Sequence, residues 1–255
     1  MQKSSIIDYN KMFNEQGFVH IRNYLSKDLC MYLNEVIFNI IQTHKCIDGS
    51  NPYVTNINRQ ALTLYSNQYN KNSNNNPYTN RKKQEYQYVE NTVINSLISS
   101  IDNLFHILHI KHWAIIGITV FICPPGCKEQ EIHHDAPPDK NRFFITIPLH
   151  DTSINMGPTI FYNNKYLKNF KRTYKPMKTP PKPKNIPNEK IENGYGVIGF
   201  LNDNIPYKDE FRTARVQNSL ELGDIQVHRD ITFHSGGNNN SNKERRLLFF
   251  VIYFN

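Results

Sequence analysis

Residues 130–138, QEIHHDAPP, set two imidazoles and a carboxylate side by side: His133, His134 and Asp135. All three are possible metal ligands, but chain geometry sorts them. In an extended segment successive side chains alternate between faces, so His133 and Asp135 share one face and His134 points away. An H-x-D pair on a strand can offer an imidazole nitrogen and a carboxylate oxygen to one cation. His134 is expected to be packed or solvated on the opposite side.

Two ligands do not make a firm site. His234, ahead of the Gly-rich turn in FHSGGNNNSNKERRLLFF and about a hundred residues after Asp135, is the expected third. Two histidines and one carboxylate occupy one face of an octahedral ion and leave three positions open, the facial triad of non-heme Fe(II) oxygenases. A keto acid can fill two of those positions and dioxygen the third. A keto acid such as 2-oxoglutarate also needs a cation for its remote carboxylate. The planar guanidinium fork suits that task better than a lysine. Arg245 and Arg246 open the last apolar run, eleven and twelve residues after His234, and strand alternation lets only one of them reach the pocket. Spacing leaves the choice between them open.

Other groups read as ordinary structure. His106 and His109, near a helix end, and His112 lack an accompanying carboxylate and are expected at the surface. The run CPPGC (123–127) has no second cysteine pair to complete four ligands, so Cys123 and Cys127 are expected to be incidental thiols on a turn.

These residues must be positioned by strands. From Lys111 onward, short apolar runs alternate with turn signals: HWAIIGITVFI, EQEIHHD, RFFITIPLHD, MGPTIFY, GYGVIGFL, ARVQNSLEL, DIQVHRDITFHS and RRLLFFVIYF. About eight strands with long loops fit an antiparallel sandwich or jelly roll. Before them, residues 12–25 read as a short helix, a Gly turn and a strand. Ser26 can cap a helix with Leu29, Leu33, Val36, Ile37, Ile40 and Ile41 on one face. Residues 46–88 lack clear periodicity and are expected to be irregular. A second amphipathic helix follows, with Val89, Val93, Leu97, Ile101, Leu104 and Phe105 as its stripe. The expectation is one domain, 1–255, in which a helical N-terminal region (residues 1–110) packs on one face of the jelly-roll core (residues 111–255).

Composition sets the remaining bounds. Of 255 residues 38% are hydrophobic, with 15 Phe and 15 Tyr, enough for a substantial core. The longest apolar runs, 114–123 and 247–254, are too short to cross a bilayer. MQKSSIIDYNKMF has no secretory apolar core, so an intracellular, cytoplasmic location is expected. The net charge of +8 favours anionic partners without naming one. Eight Lys or Arg and no acid fall in 163–185, inside a Pro-rich insert extending to about 190. That insert reads as a solvated loop or as a basic lid over an anionic substrate. It lacks the aromatic-glycine pattern of an RNA-binding module, so a small molecule is favoured over nucleic acid as substrate.

The chain resembles the phytanoyl-CoA dioxygenase (PhyH-like) family of Fe(II)/2-oxoglutarate-dependent oxygenases. NEQGFVHIRNYLSKDLCMYL is similar to the family's N-terminal opening. PPGCKEQEIHHD resembles its Pro-Gly turn followed by Q-x-x-H-x-D, with Gln130, His133 and Asp135 in register. LGDIQVHRDITFHSGGNNNSNKERRLLFFVIY resembles its C-terminal Gly-Asp, His, Asn-x-Ser, Arg block. In that block the arginine falls eleven after the histidine, which selects Arg245. The resemblance implies a double-stranded β-helix with flanking helices. It implies Fe(II) held by His133, Asp135 and His234, with these three as the catalytic residues. It implies 2-oxoglutarate bound by Arg245, with Thr146 as a further contact where relatives often carry an aromatic residue. Dioxygen is then the oxidant, ascorbate a candidate reductant, and hydroxylation of an unidentified substrate the expected outcome. FYNNKY (161–166) replaces the family's usual Pro-Gly-Ser-His turn, so no relative's substrate transfers to this chain. A catalytically silent jelly-roll binding module and a cupin-like isomerase without 2-oxoglutarate are the competing readings.

Overall fold

A computed structural model describes residues 8–43, 59–66, 95, 97–130, 132–135, 141–167 and 208–254. Helix α1 (Tyr9–Gln16) begins at Asp8, whose carboxylate accepts from the Lys11 N–H, and ends at Gly17 with φ 87°, a left-handed conformation that suits glycine. Strand β1 (Phe18–Ile21) follows at once. Helix α2 (Lys27–Thr43) starts where the Ser26 hydroxyl accepts from the Leu29 N–H at 3.2 Å, the expected cap. Its Leu33 and Ile37 are fully buried, and Leu29, Val36, Ile40 and Ile41 flank them. Helix α3 (97–107) buries Leu97, Ile101, Leu104 and Phe105 as the periodicity predicts. Val89 and Val93 lie outside the described residues.

Nine strands are described. Besides β1 they are β2 (Gln60–Ser66), β3 (Trp113–Cys123), β4 (Arg142–Pro148), β5 (Thr159–Tyr162), β6 (Arg215–Gln217), β7 (Ile225–Arg229), β8 (His234–Gly236) and β9 (Arg245–Phe254); a short helix α4 (Lys208–Ala214) precedes β6. The larger sheet has the order β1-β7-β4-β9-β3-β2 and the smaller β6-β5-β8, with antiparallel pairing throughout. A bridge between His133 and His234 adds the H-x-D segment to the edge of the smaller sheet. The two-sheet antiparallel architecture is the expected double-stranded β-helix, mainly β with flanking helices.

Two expectations change. Residues 60–66, within a stretch expected to be irregular, form β2 and pair with β3 from Gln60↔Ile122 to Ser66↔Gly117. The Asn-rich surroundings hide a seven-residue strand whose partner lies more than fifty positions away. The H-x-D segment, expected to be extended over 131–135, makes only the one bridge at His133. The GYGVIGFL segment and the basic insert from residue 168 lie outside the described residues.

The larger sheet has two unlike faces. Val19, Ile21, Phe143, Ile145, Ile147, Ile225, Val227, Leu248, Phe250 and Ile252 join the helices in one continuous apolar core. The alternate residues of the same strands, among them Phe144, Thr146, Gln226, His228, Arg245 and Phe249, turn toward the smaller sheet, as the pleat requires. No helix among the described residues is long and apolar enough to cross a membrane.

Candidate metal centre

Gln130 and His133 dock the H-x-D segment on β8. The Gln130 backbone N–H donates to the Gly236 carbonyl, its side-chain Oε1 accepts from the Gly236 N–H, and His133 and His234 exchange backbone hydrogen bonds at 2.9 and 2.8 Å. These bonds bring the distant His234 beside His133, their rings 4.4 Å apart between centroids. Asp135 closes the group: one carboxylate oxygen lies 3.8 Å from His133 Nε2 and the other 3.5 Å from His234 Nε2. One ligand atom from each of the three falls within 4.8 Å of the others, close enough for a single ion.

The protonation states suit a cation. His234 Nδ1 lies 3.0 Å from the Thr232 carbonyl, which can only accept. Nδ1 therefore carries the proton, and Nε2 presents its lone pair to the centre. Burial pushes the His234 imidazole down to about 4, so it is neutral at pH 7. Burial also works to raise the Asp135 carboxyl, but His234, His228 and His133 together hold it below the usual carboxylate range. Asp135 is thus an anion beside a neutral His234. His134 points away, buried edge-on against Phe233 at 5.5 Å. His106, His109 and His112 are exposed, as expected.

Arg245 begins β9 in register with Cys123 and is 1% exposed. Its Nε and Nη1 have no hydrogen-bond partner among the described residues. Burial lowers its pKa to about 10, and Arg59 nearby adds to the effect. Buried guanidinium N–H groups without acceptors are costly, so an anion would fit against Nε and Nη1. Arg246 points the other way, with its guanidinium over the Phe38 ring of α2 at 5.4 Å and 3.5 Å from Glu244. The preceding turn fixes which arginine faces inward. Buried Asn239 donates to the carbonyls of Cys123 and Lys243 and accepts from the Ser241 N–H and hydroxyl, which sets the register of β9. That is the physical content of the Asn-x-Ser motif. Thr146, also buried, faces inward opposite Gln226 and Phe249.

Sequence reasoning missed three polar residues. Gln226 and His228 alternate with Ile225 and Val227 on β7, so both face inward and are buried. Their spacing in DIQVH is the signal that could have found them. Arg59, just before β2, has no such local signal. It donates to Gln130 and to the carbonyls of Lys128, Gly236 and Gly237. Gly236 is required there, because a Cβ would collide with the Arg59 guanidinium. Cys123 and Cys127 are buried beside Arg59 and Arg245, and a mutual hydrogen bond and the guanidinium charges lower the Cys127 pKa to about 6. A cleft of about 420 Å³ lined by Phe13, His109, Lys111, Arg229 and Phe254 contains none of the inward-facing residues.

The same fold occurs in enzymes of known structure. The chain superposes on the non-heme alpha-ketoglutarate-dependent carbocyclase SnoK of nogalamycin biosynthesis with a TM-score of 0.64 at 14% identity, covering 99% of this chain and 85% of that one. The epimerase SnoN of the same biosynthesis, in complex with Fe3+, alpha-ketoglutarate and nogalamycin RO, gives 0.62 at 14% identity over 96% and 82%. EvdO2 from Micromonospora carbonacea var. aurantiaca, complexed with 2-oxoglutarate, gives 0.59 at 15% identity over 100% and 94%. No protein-family model and no curated protein sequence matches the chain. The class defined here is therefore a fold, that of the 2-oxoglutarate-dependent oxygenases. Two imidazoles, a carboxylate and a buried guanidinium with two nitrogens unpartnered among the described residues are groups that fit iron and a keto diacid.

Proposed function

We propose that the chain is an Fe(II)- and 2-oxoglutarate-dependent dioxygenase of PhyH-like type that hydroxylates a small molecule. The observation that carries this reading is the pairing of a His133, Asp135, His234 cluster with the inward, unpaired Arg245. A metal site alone would serve a cupin-like isomerase or a silent module equally well. Neither explains a buried guanidinium whose Nε and Nη1 have no hydrogen-bond partner among the described residues.

His133, Asp135 and His234 hold the metal. Arg245 binds the C5 carboxylate of 2-oxoglutarate through its fork, and the Thr146 hydroxyl is a further hydrogen-bond contact. Fe(II) bound there supplies the oxidative chemistry, coupling dioxygen and 2-oxoglutarate, with release of succinate and CO2, to oxidation of a substrate C–H bond. Phe161 lies against His234, and Phe144 and Phe249 pack on the neighbouring His228, an apolar lining that keeps water from the reacting groups. The carboxylate at 135 favours hydroxylation, because a small residue there would free a ligand position for halide. An epimerase and a carbocyclase share this fold, so the same scaffold serves other outcomes too. Ascorbate is the proposed reductant for iron that has been oxidised without turnover.

The test is succinate formation from 2-oxoglutarate, with and without Fe(II). Wild type is expected to show metal-dependent turnover, and Asp135→Ala and His234→Ala are expected to fall to background while remaining folded. Retained turnover in either variant would refute the triad.

A further inference from the structure

His228 fills a box of rings. It lies in register with Phe18 of β1 and Phe144 of β4. Its imidazole stacks on Phe144, centroids 5.0 Å apart, and lies 5.2 Å from Phe161, 6.1 Å from Phe249 and 4.6 Å from His234. The residue is 1% exposed, and neither ring nitrogen has a hydrogen-bond partner among the described residues. A phenyl ring would fill this box without the cost of about 1–3 kcal/mol that an unpaired buried polar group carries. Packing explains an aromatic ring at 228 but not its nitrogens.

Those nitrogens have one nearby counterpart. His228 Nε2 is 3.7 Å from Asp135 Oδ2, itself buried and without a hydrogen-bond partner among the described residues. His234 Nε2 approaches the same oxygen at 3.5 Å but cannot donate to it, because the proton of that ring is committed on Nδ1 to the Thr232 carbonyl. Between these two neighbours of Oδ2, His228 is the one free to donate.

We infer that His228 is a positioning residue of the metal centre: its Nε2–H donates to Asp135 Oδ2 and leaves Oδ1, on the His133 side, to face the metal. This rests on the metal-centre reading above. A carboxylate held this way takes one coordination position, whereas one bound through both oxygens takes two. His228 thereby preserves the third open position that a bidentate keto acid and dioxygen need together.

The test uses the full chain and Mn(II), a redox-stable probe, in titration calorimetry. His228→Phe keeps the ring packing and is expected to weaken Mn(II) binding about 10- to 100-fold, the usual effect of losing a group that orients a ligand. His228→Gln, which restores an N–H donor, is expected to recover some of that loss. The metal-free His228→Phe protein is expected to melt below wild type, since Asp135 Oδ2 loses its donor, and His228→Gln is expected to recover part of that loss as well. X-ray absorption on the wild-type Mn(II) complex is expected to count two imidazoles. Wild-type affinity in His228→Phe, no recovery in His228→Gln, or a third imidazole on the metal would each overturn the inference. Failure of wild type to bind Mn(II) would overturn the metal centre as well, so the two failures are distinguishable.

Discussion

The two faces of the six-stranded sheet are built from the same strands and are both buried, yet they do opposite things. On the outer face Ile145, Val227, Leu248 and Phe250 meet the helices as hydrocarbon against hydrocarbon. On the inner face Gln226, His228 and Arg245 carry side-chain polar atoms with no partner among the described residues. Arg229 and Arg246, at the ends of outer-face rows, also carry unpartnered guanidinium nitrogens among the described residues, but these lie over the rings of Phe13 and Phe38. The inner face makes sense only with something added, because unpaired buried polar groups cost stability that packing alone does not return. A site for chemistry here is the alternate register of the fold's own core strands.

Mutations on the two faces should therefore separate stability from function. Phe250→Ala on the outer face is expected to cost about 3–5 kcal/mol in denaturant unfolding, the range for an aromatic ring deleted from a core. Arg245→Ala on the inner face should do the reverse. It is expected to leave metal-free stability unchanged or raised while increasing the 2-oxoglutarate requirement at least about tenfold, or ~1.4 kcal/mol. Arg246→Ala, on the other side of the same strand, should leave that requirement near wild type in the same decarboxylation assay. Equal effects from the two arginines would erase the distinction between the faces.

A pH-dependent effect is expected at the end of the sheet, where polar groups are paired. Burial works to raise the Asp224 carboxyl, but the N–H groups of Glu221 and Asn23 and the His20 ring hold it below its ordinary value. A carboxyl depressed in the folded state adds stability above its unfolded pKa of about 3.9 and loses it as pH falls through that value and below. Asp224→Asn should thus cost about 1–2 kcal/mol at pH 7, with the gap to wild type narrowing in thermal melts as pH falls below about 3.9. A gap independent of pH would mean that shape, not charge, matters at this position.

Much of the fold was legible because its signals are local. Ser26 and the apolar stripe of α2 lie within a few turns of each other, and the period of α3 is carried by residues three and four apart. Strand β2 was not legible, since what makes 60–66 a strand is its partner β3, and Asn-rich flanks mask the short pattern. In the site, H-x-D and its distal histidine could be read from spacing. Arg59 could not, because its four acceptors lie about seventy and one hundred and eighty residues away.

Sequence by itself determined which side chains are able to ligate and which alternate residues share a face, because residue chemistry and the two-residue period of a strand are properties of the local chain. It also carried the Asn-x-Ser turn that aims Arg245 rather than Arg246 inward. Only the tertiary structure decided that His234 stands beside His133, that His228 Nε2 lies 3.7 Å from Asp135 Oδ2, and that Arg245 is buried with Nε and Nη1 unpartnered among the described residues. Those facts depend on strands far apart in the chain meeting across two sheets, a relation that no local pattern encodes.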